Sequence, residues 1–328
     1  MMSECLVEVQ NLKKYFPIKL GFFRTLISKN QPFVHAVDGI SFYVNKGEIF
    51  GLAGESGSGK TTTGRVLLKL TEPTSGRILF RGKDVTNVKE SVFKEYRRKM
   101  QIIFQDPYES INPRMIVRSI VEEPLLIQGI VGKEMEEHVY KVMNDVQLTP
   151  PEEFLFRFPH ELSGGQRQRV ACARALVLGP EFIVADEPVS MLDVSIRAEV
   201  LNLMVDLREK YNVSFLYITH DLALSRHICD RLAVMYLGKI MEMGKVEHVV
   251  LEALHPYTKA LIEAVPVPDP TSKRIEVGIK GEIPSPINPP QGCRFHTRCS
   301  SYIGDICRTK EPMLKDVGKG HFVACHLY

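Results

Sequence analysis

The sequence contains no tryptophan and has no apolar run long enough to cross a membrane. Wholly apolar runs such as Phe182 to Ala185 fall far below the roughly 20 residues that span a bilayer. Lys and Arg (42) nearly balance Asp and Glu (39), so a net charge of +3 gives no strong field for nucleic acid or an anionic bilayer. The first residues also lack the basic, apolar and small-residue pattern of a secretory signal. We therefore expect a cytoplasmic chain that neither crosses a membrane by itself nor coats DNA.

The 328 residues are enough for more than one domain, and their pattern predicts an α/β fold. Apolar stretches predict short strands at 6–9, 39–44 and 49–53, and a glycine-rich loop then leads into a helix at 61–70. Residues 89–165 carry charged stretches between apolar anchors, which predicts a mostly helical insertion.

Alternation of strand and helix resumes after this insertion. We predict strands at 182–185 and 213–219 around a helix at 194–211, which is typical of a mainly parallel sheet. One face of that helix carries Val200, Leu203, Met204 and Leu207. Seven of the 20 prolines lie between Val265 and Gly292, which predicts an extended connector before the last residues.

A phosphate-binding loop is predicted at Gly54 to Thr61, which fits G-x-x-x-x-G-K-[ST] between a strand and a helix. Glycines at these positions allow backbone N–H groups to surround phosphate oxygens, and the helix N-terminus adds positive potential. Lys60 would contact the β- and γ-phosphates, and Thr61 would provide a hydroxyl for Mg²⁺. The predicted nucleotide-binding residues of this segment are Gly54, Ser56, Gly57, Ser58, Gly59, Lys60, Thr61 and Thr62.

Two carboxylates follow the buried strand at 182–185. Asp186 would hold Mg²⁺ directly or through water, and Glu187 would polarise the attacking water. A strand that ends in a solvated acidic turn is a common alternative, so this pair is informative only together with the phosphate loop.

Leu162-Ser163-Gly164-Gly165-Gln166, before a helix-compatible segment, narrows the interpretation to a family. A serine hydroxyl and glycine N–H groups at a helix N-terminus can bind an anion. The pentapeptide resembles the signature motif of the ATP-binding cassette (ABC) proteins. The resemblance implies a P-loop ABC ATPase fold: a RecA-like, mainly parallel sheet, an antiparallel β part and a helical subdomain. It further implies a dimer in which Ser163, Gly164, Gly165 and Gln166 meet the ATP held by the partner.

Further residues follow in the family's order. By resemblance, Gln105 senses the metal and the nucleotide, Asp193 joins the two sites across the dimer, and His220 contacts the γ-phosphate and the attacking water. Phe16 is the best match to the aromatic residue that stacks on adenine, and Tyr15 is its rival. Each residue has an ordinary structural interpretation by itself, but their joint order makes coincidence implausible.

Two stretches resemble the ATPase subunits of oligopeptide and dipeptide permeases. They run from Asp106 to Met115 (DPYESINPRM) and from His255 to Leu261 (HPYTKAL), and the segment from Pro17 to Val34 also suits that group. The resemblance implies a peripheral ATPase on the cytoplasmic face of the cell membrane, acting in a binding-protein-dependent importer. Its partners would be a related second ATPase subunit, which we prefer to a homodimer, and two transmembrane permease subunits that contact Gln105 to Arg118 and the helical lobe. The extracytoplasmic binding protein would be an indirect partner. The predicted domains are a cassette at 1–255, with its helical subdomain at about 89–165, and a C-terminal extension at 256–328.

The extension contains Cys293, Cys299, Cys307 and Cys325, separated by 5, 7 and 17 residues. This spacing does not match the short cysteine pairs of structural zinc modules, and a cytosolic location argues against disulfides. Because the same region of the peptide-permease ATPases resembles an iron–sulfur region, we expect a [4Fe-4S] cluster on these four residues. Zinc is the alternative, with His296, His321 or His326 as substitute ligands, and unconnected thiols are the simplest interpretation. Cys172 and Cys229 are expected in the core.

Other functions are possible for this sequence. Importers of nickel, glutathione or sugars use similar ATPases. A soluble cassette ATPase acting on nucleic acid or ribosomes is disfavoured by the single cassette and the near-neutral charge, and we predict no nucleic-acid partner. A P-loop kinase would lack the serine-glycine-glycine signature.

Overall fold

The computed structural model describes residues 4–18, 31–264 and 281–328. Contacts divide the chain into two compact units, each assembled from separate stretches of sequence. The helical unit comprises Met1–Leu6, Val44–Ile49 and Asn87–Tyr217, and the sheet unit comprises Val7–Tyr43, Phe50–Thr86 and Ile218–Tyr328. These contacts do not follow the boundary predicted after residue 255, which stays a prediction.

The strands are short apart from the first two. They are β1 (Cys5–Pro17), β2 (Phe33–Asn45), β3 (Ile49–Ala53), β4 (Ser75–Phe80), β5 (Lys83–Asp84), β6 (Met100–Ile103), β7 (Phe182–Asp186), β8 (Ser214–Thr219), β9 (Arg231–Tyr236), β10 (Lys239–Lys245), β11 (Lys315–Asp316) and β12 (Phe322–Val323).

The helices are concentrated in the middle of the chain. They are α1 (Lys60–Leu67), α2 (Glu90–Lys99), α3 (Pro107–Ser110), α4 (Val117–Ile127), α5 (Lys133–Asp145), α6 (Glu152–Leu155), α7 (Gly164–Leu176), α8 (Val194–Tyr211), α9 (Leu222–Ile228), α10 (Val246–Leu251), α11 (Pro256–Glu263) and α12 (Asp305–Thr309), with a 3₁₀ turn at Pro159–Glu161.

The sheet unit contains strands from both ends of the sequence. One sheet has the order β2-β1-β4-β5, and the other strands of this unit follow the order β11-β12-β10-β9-β3. β3 and β9 pair in parallel from Phe50 with Arg231 to Ala53 with Val234, and every residue of β3 is buried. A continuous apolar run is what a strand covered on both faces requires, which explains why 49–53 was predictable.

The C-terminal residues are part of this same unit. β12 pairs antiparallel with β10, aligning Val323 with Glu242 and Phe322 with Met243. Phe295 is buried and its ring lies 5.3 Å from that of Tyr236 and 5.2 Å from that of Tyr257. The C-terminal segment 281–328, which we call the tail, is therefore held by a strand pair and by an aromatic cluster.

The helical unit confirms most of the predicted pattern and adds one strand. α8 has the predicted bounds, and Val200, Leu203, Met204 and Leu207 are all buried. β6 interrupts the segment 89–165, which was expected to be mostly helical. It pairs in parallel with β7, from Met100 with Phe182 to Ile103 with Ala185. Four residues are too few to show the alternation of buried and exposed side chains that marks a strand. β6 therefore forms because it pairs with β7, not because of a pattern in its own sequence.

Some predictions fall largely outside the described residues. They concern the connector from Val265 to Gly292 and the segment from Pro17 to Val34, with its apolar residues Phe22, Phe23, Leu26 and Ile27. Among the helices of residues 4–18, 31–264 and 281–328, none has the length and apolarity needed to span a bilayer.

The His255-Pro256-Tyr257 sequence forms the start of α11. His255 is the N-cap, where its ring nitrogen Nδ1 accepts a hydrogen bond from the Tyr257 N–H at 3.0 Å, and Pro256 occupies the first helical position. The histidine is buried, and this burial lowers its pKa to about 4, against the opposing effect of the Glu242 carboxylate. A neutral imidazole is therefore part of the folded structure.

This depressed pKa predicts an acid-sensitive contribution to stability. In the unfolded chain, His255 takes up a proton as the pH falls below its ordinary pKa near 6.5. In the folded chain it stays neutral until the pH approaches its lowered pKa of about 4. Between pH 7 and pH 5, His255 should account for a loss of about 2 kcal/mol in the free energy of unfolding. Urea unfolding at both pH values measures this loss, and His255→Asn, which can still cap the helix, should lose correspondingly less. An equal loss in both proteins would contradict the prediction.

Candidate functional site

The phosphate loop in the sheet unit has the shape that its glycines permit. Gly54 has a φ of +147°, and a Cβ at this position would lie 2.2 Å from the Met235 carbonyl oxygen. Gly59 has a φ of +106°, and a Cβ there would lie 2.1 Å from the Ala36 carbonyl oxygen. No side chain fits at either position, so the loop needs both glycines. Lys60 is buried at the start of α1, where its Nζ donates to the carbonyl oxygens of Gly54 at 2.7 Å and Glu55 at 3.0 Å. Loop and lysine together form a concave, positively charged cradle that suits a phosphate chain.

The helical unit holds the two carboxylates at the end of β7. Asp186 is 4% exposed, whereas Glu187 is half-buried and has a left-handed φ of +45°. That conformation is uncommon for a residue other than glycine, and it turns the chain sharply after the strand. The Gln105 Nε2 donates to Glu187 Oε2 at 3.3 Å, so two of the predicted catalytic residues lie together.

The signature segment begins α7 with a reciprocal cap. The Ser163 Oγ accepts from the Gln166 N–H at 3.3 Å, and the Gln166 side chain accepts from the Ser163 N–H at 2.9 Å. A Cβ at Gly165 would lie 2.6 Å from the Ile196 Cγ2, so α7 approaches α8 closely here. Asp193 is the N-cap residue of α8 and is exposed. Ser163 and Asp193 thus both stand at helix starts, but only the Ser163 side chain caps its helix by a hydrogen bond.

His220 and the candidate adenine-stacking residues belong to the sheet unit. His220 follows β8 and is exposed, and the next residue, Asp221, caps α9 by accepting from the Leu224 N–H at 3.1 Å. Phe16 is 38% exposed, with the Lys14 ammonium 4.8 Å from its ring centre. The Tyr15 hydroxyl instead donates to Asp38, and burial followed by this hydrogen bond raises the Tyr15 pKa. Phe16 is therefore the more exposed of the two, since Tyr15 is half-buried with its ring 4.2 Å from that of His35.

The tail contacts the phosphate loop at Glu55, a contact that the sequence interpretation missed. The Arg298 guanidinium donates to both carboxylate oxygens of Glu55, at 2.7 Å and 3.1 Å. The Tyr257 hydroxyl accepts from the Glu55 N–H at 2.9 Å. Tyr257 lies in the His-Pro-Tyr sequence, but nothing in that motif indicates its partner. Arg298 is separated from Glu55 by 243 positions and carried no signal except its place beside Cys299.

The four tail cysteines lie near one another in the sheet unit. Cys293 and Cys307 are buried, and Cys299 and Cys325 are half-buried. Burial raises the pKa of Cys293 to about 12, and the other three cysteines act in the same direction. Within the described ranges, however, no three His, Cys, Asp or Glu side chains are arranged to hold a metal ion. The donor chemistry suits a metal centre, but this arrangement is not a ligand set.

The histidines considered as substitute ligands have other partners. The Nδ1 of His296 lies 2.8 Å from the Cys293 carbonyl oxygen, the Nε2 of His321 lies 2.7 Å from Glu242, and the Nε2 of His326 lies 2.7 Å from the Lys310 carbonyl oxygen. Cys172 and Cys229 are buried, which confirms the prediction that they belong to the core.

The helical unit also contains an apolar cavity of about 470 Å³. Its lining includes Phe104, Ile111 and Ile127, with Glu123 and Arg174 among the charged residues. Arg174 donates to Glu123 at 2.8 Å and to the Ser110 carbonyl oxygen at 2.9 Å. The lining includes Phe104, the residue before Gln105, and also Ser110 and Ile111, which lie in the segment 105–118 where the membrane subunits were expected.

Comparison with known families matches two regions of the chain. Residues 37–190 match the family "ABC transporter", and residues 241–307 match "Oligopeptide/dipeptide transporter, C-terminal region". Among curated relatives, the oligopeptide transport ATP-binding protein AppF of Bacillus subtilis (strain 168) is 49% identical over 99% of this chain and 98% of its own length. A probable peptide ABC transporter ATP-binding protein of Sinorhizobium fredii is 45% identical over 99% of this chain and 91% of its own length.

Solved structures agree with these relatives. The cassette CbiO1 of Clostridium perfringens, part of an ABC transporter complex, has a TM-score of 0.66 at 26% identity and covers 76% of this chain and 92% of its own. The dimeric cassette MJ0796 bound to ADP and phosphate has a TM-score of 0.62 at 26% identity and covers 74% of this chain and 99% of its own. Full-length identity near one half, the cassette fold and the phosphate-loop, signature and C-terminal motifs lead to one conclusion: the chain belongs to the ATP-binding subunits of ABC transporters, in the oligopeptide/dipeptide group.

Proposed function

We propose that this chain hydrolyses ATP to drive the uptake of dipeptides or oligopeptides by a binding-protein-dependent importer. The observation that carries the proposal is the likeness to peptide-transport ATPases over nearly the whole chain, including the C-terminal region at 241–307. An ABC ATPase of this group works with transmembrane permease subunits and in ATPase pairs, which is consistent with the exposed positions of Asp193 and His220.

Each nucleotide-site residue has a proposed role. Lys60 and the loop N–H groups bind the phosphates, Thr61 and Asp186 hold Mg²⁺, and Glu187 orients the attacking water as general base. The hydrogen bond between Gln105 and Glu187 supports a sensing role for Gln105. Ser163 and its glycines would bind the γ-phosphate held by the second ATPase subunit, and the exposure of Phe16 supports its assignment to adenine over Tyr15.

The proposed assembly is a heterodimer of two ATPases on two permease subunits, at the cytoplasmic face of the membrane. The extracytoplasmic binding protein would act on this chain only through the permease. The cavity beside Phe104 supports docking of a permease helix, because its apolar lining residues offer burial and its charged lining residues offer orientation.

For the tail we propose a [4Fe-4S] cluster on Cys293, Cys299, Cys307 and Cys325, with zinc as the alternative. The proximity of four thiols and the match of the C-terminal region support it. Burial raises the pKa of Cys293, Cys299 and Cys325, so cluster binding would require deprotonation of these thiols and some rearrangement of the tail.

Glu187→Gln should allow ATP to bind but reduce hydrolysis at least about 100-fold, because a general base contributes roughly 10² to 10⁴ in rate. ATP binding and phosphate release by the purified complex measure the two effects. Glu199→Gln is the control, since Glu199 is an exposed carboxylate 3.3 Å from Arg169 in the same unit. Normal turnover in the Glu187→Gln complex would remove Glu187 from the role of base.

The transported substrate is tested with the full complex in lipid vesicles. Its binding protein is loaded in turn with dipeptides, longer peptides, nickel, glutathione, a sugar or nothing, and ATP hydrolysis is measured. We expect stimulation by peptides, with the most effective length defining the substrate. Stimulation by another of these ligands alone, or by none of them despite basal turnover, would contradict peptide import and leave the ATPase activity standing.

Iron and sulfide analysis after anaerobic purification tests the tail. We expect about four of each per chain, with a brown colour lost in Cys293→Ser but kept in the core variant Cys172→Ser. A colourless chain that contains zinc would favour the alternative. A chain with neither iron nor zinc would refute both centres.

A further inference from the structure

The phosphate loop is held at Glu55 by three neighbours. The Glu55 carbonyl oxygen accepts from Lys60, its N–H donates to the Tyr257 hydroxyl, and its carboxylate receives both arms of the Arg298 guanidinium. A bidentate arginine–carboxylate pair fixes orientation as well as distance. The N–H, the carbonyl oxygen and the carboxylate of Glu55 thus all have hydrogen-bond partners, although Glu55 occupies a position where the phosphate-loop pattern allows any residue.

Arg298 is itself fixed by the tail. It is 7% exposed, its guanidinium lies 5.7 Å from the Tyr236 ring centre and 5.9 Å from that of Phe295, and it donates to the Tyr236 hydroxyl at 3.3 Å. Its backbone N–H donates to the Phe295 carbonyl oxygen at 2.9 Å. A guanidinium held in this way cannot follow Glu55 if the loop moves, so the pair specifies one position for the carboxylate.

Charge gives this pair a consequence for the nucleotide. A carboxylate in the phosphate loop would repel the polyphosphate of ATP, and because the Glu55 side chain is largely buried, solvent would screen that repulsion only in part. Arg298 offsets the negative charge and holds it in a fixed direction. Neither Tyr257 nor Lys60 can replace it, because Tyr257 is neutral and Lys60 contacts the backbone of the loop.

We propose that Arg298 is a positioning residue for ATP binding: from the C-terminal tail, it neutralises and orients Glu55 so that the phosphate loop accepts the nucleotide. The tail then contributes to nucleotide affinity without touching the nucleotide. This role does not depend on which substrate is transported, and it does not require a metal in the tail.

The test is a set of variants in the full chain and in the assembled complex. Arg298→Ala should weaken ATP binding by the chain about tenfold and raise the KM for ATP of the complex similarly, with kcat changed less than about twofold. In a Glu55→Gln background, which removes the charge, the same substitution should change KM less than about threefold. Arg298→Lys, which keeps the charge but loses the two-pronged contact, should recover part of the affinity. If Arg298→Ala does not fold, Arg298→Gln takes its place in the same comparison.

Arg294→Ala is the matched control. Arg294 is a second buried tail arginine, paired with Asp38 at 2.5 Å rather than with the phosphate loop. Any change in the KM for ATP caused by Arg294→Ala should be the same with Glu55 as in the Glu55→Gln background. The proposal is overturned if Arg298→Ala leaves KM within twofold of the wild type, or if its effect persists undiminished in the Glu55→Gln background. If Arg298→Ala lowers kcat and thermal stability together without a specific change in KM, Arg298 has only a structural role, and the proposal is overturned.

Discussion

The close approach of backbone to backbone around the phosphate loop is the constraint on which the rest of the sheet unit depends. The carbonyl oxygens of Met235 and Ala36 occupy the space where side chains of Gly54 and Gly59 would lie. Met235 belongs to β9, the parallel neighbour of β3, and Ala36 to β2. The loop is therefore shaped by β2, which precedes it in the chain, and by β9, which follows it at a long sequence distance, and both strands require glycine at their point of contact.

The same strands connect the loop to the C-terminal residues. β9 provides Met235 to the loop and Tyr236 to the aromatic cluster with Phe295, and β10 pairs with tail strand β12. The tail is consequently built into the nucleotide-binding part of the chain rather than appended to it. A C-terminal region that packs in this way can affect ATP binding by position alone, which is the basis of the role proposed for Arg298.

Local elements of this fold were predictable, and long-range contacts were not. Strand β3 and helix α8 carry complete signals within themselves, an unbroken buried run and a helical apolar face with Val200 and Leu207. Strand β6 has four residues and exists because β7 lies beside it, so no local pattern could distinguish it from helix. In the site, the motifs identified Lys60 and Glu187 by chemistry, but the pairing of Arg298 with Glu55 joins positions 243 apart, and neither residue belongs to a defined motif position.

The cysteines show a different limit of sequence reasoning. Their grouping within the last 36 residues predicted that the thiols would be neighbours, and Cys293 is indeed influenced by all three others. Spacing alone could not specify whether they are arranged as ligands, because that depends on side-chain directions set by the fold of the tail. Because the thiols of the described residues are not arranged as ligands, metal binding would have to deprotonate them and shift the backbone around Cys299. Because Arg298 precedes Cys299 and pairs with Glu55, such a shift would act on the phosphate loop through this ion pair.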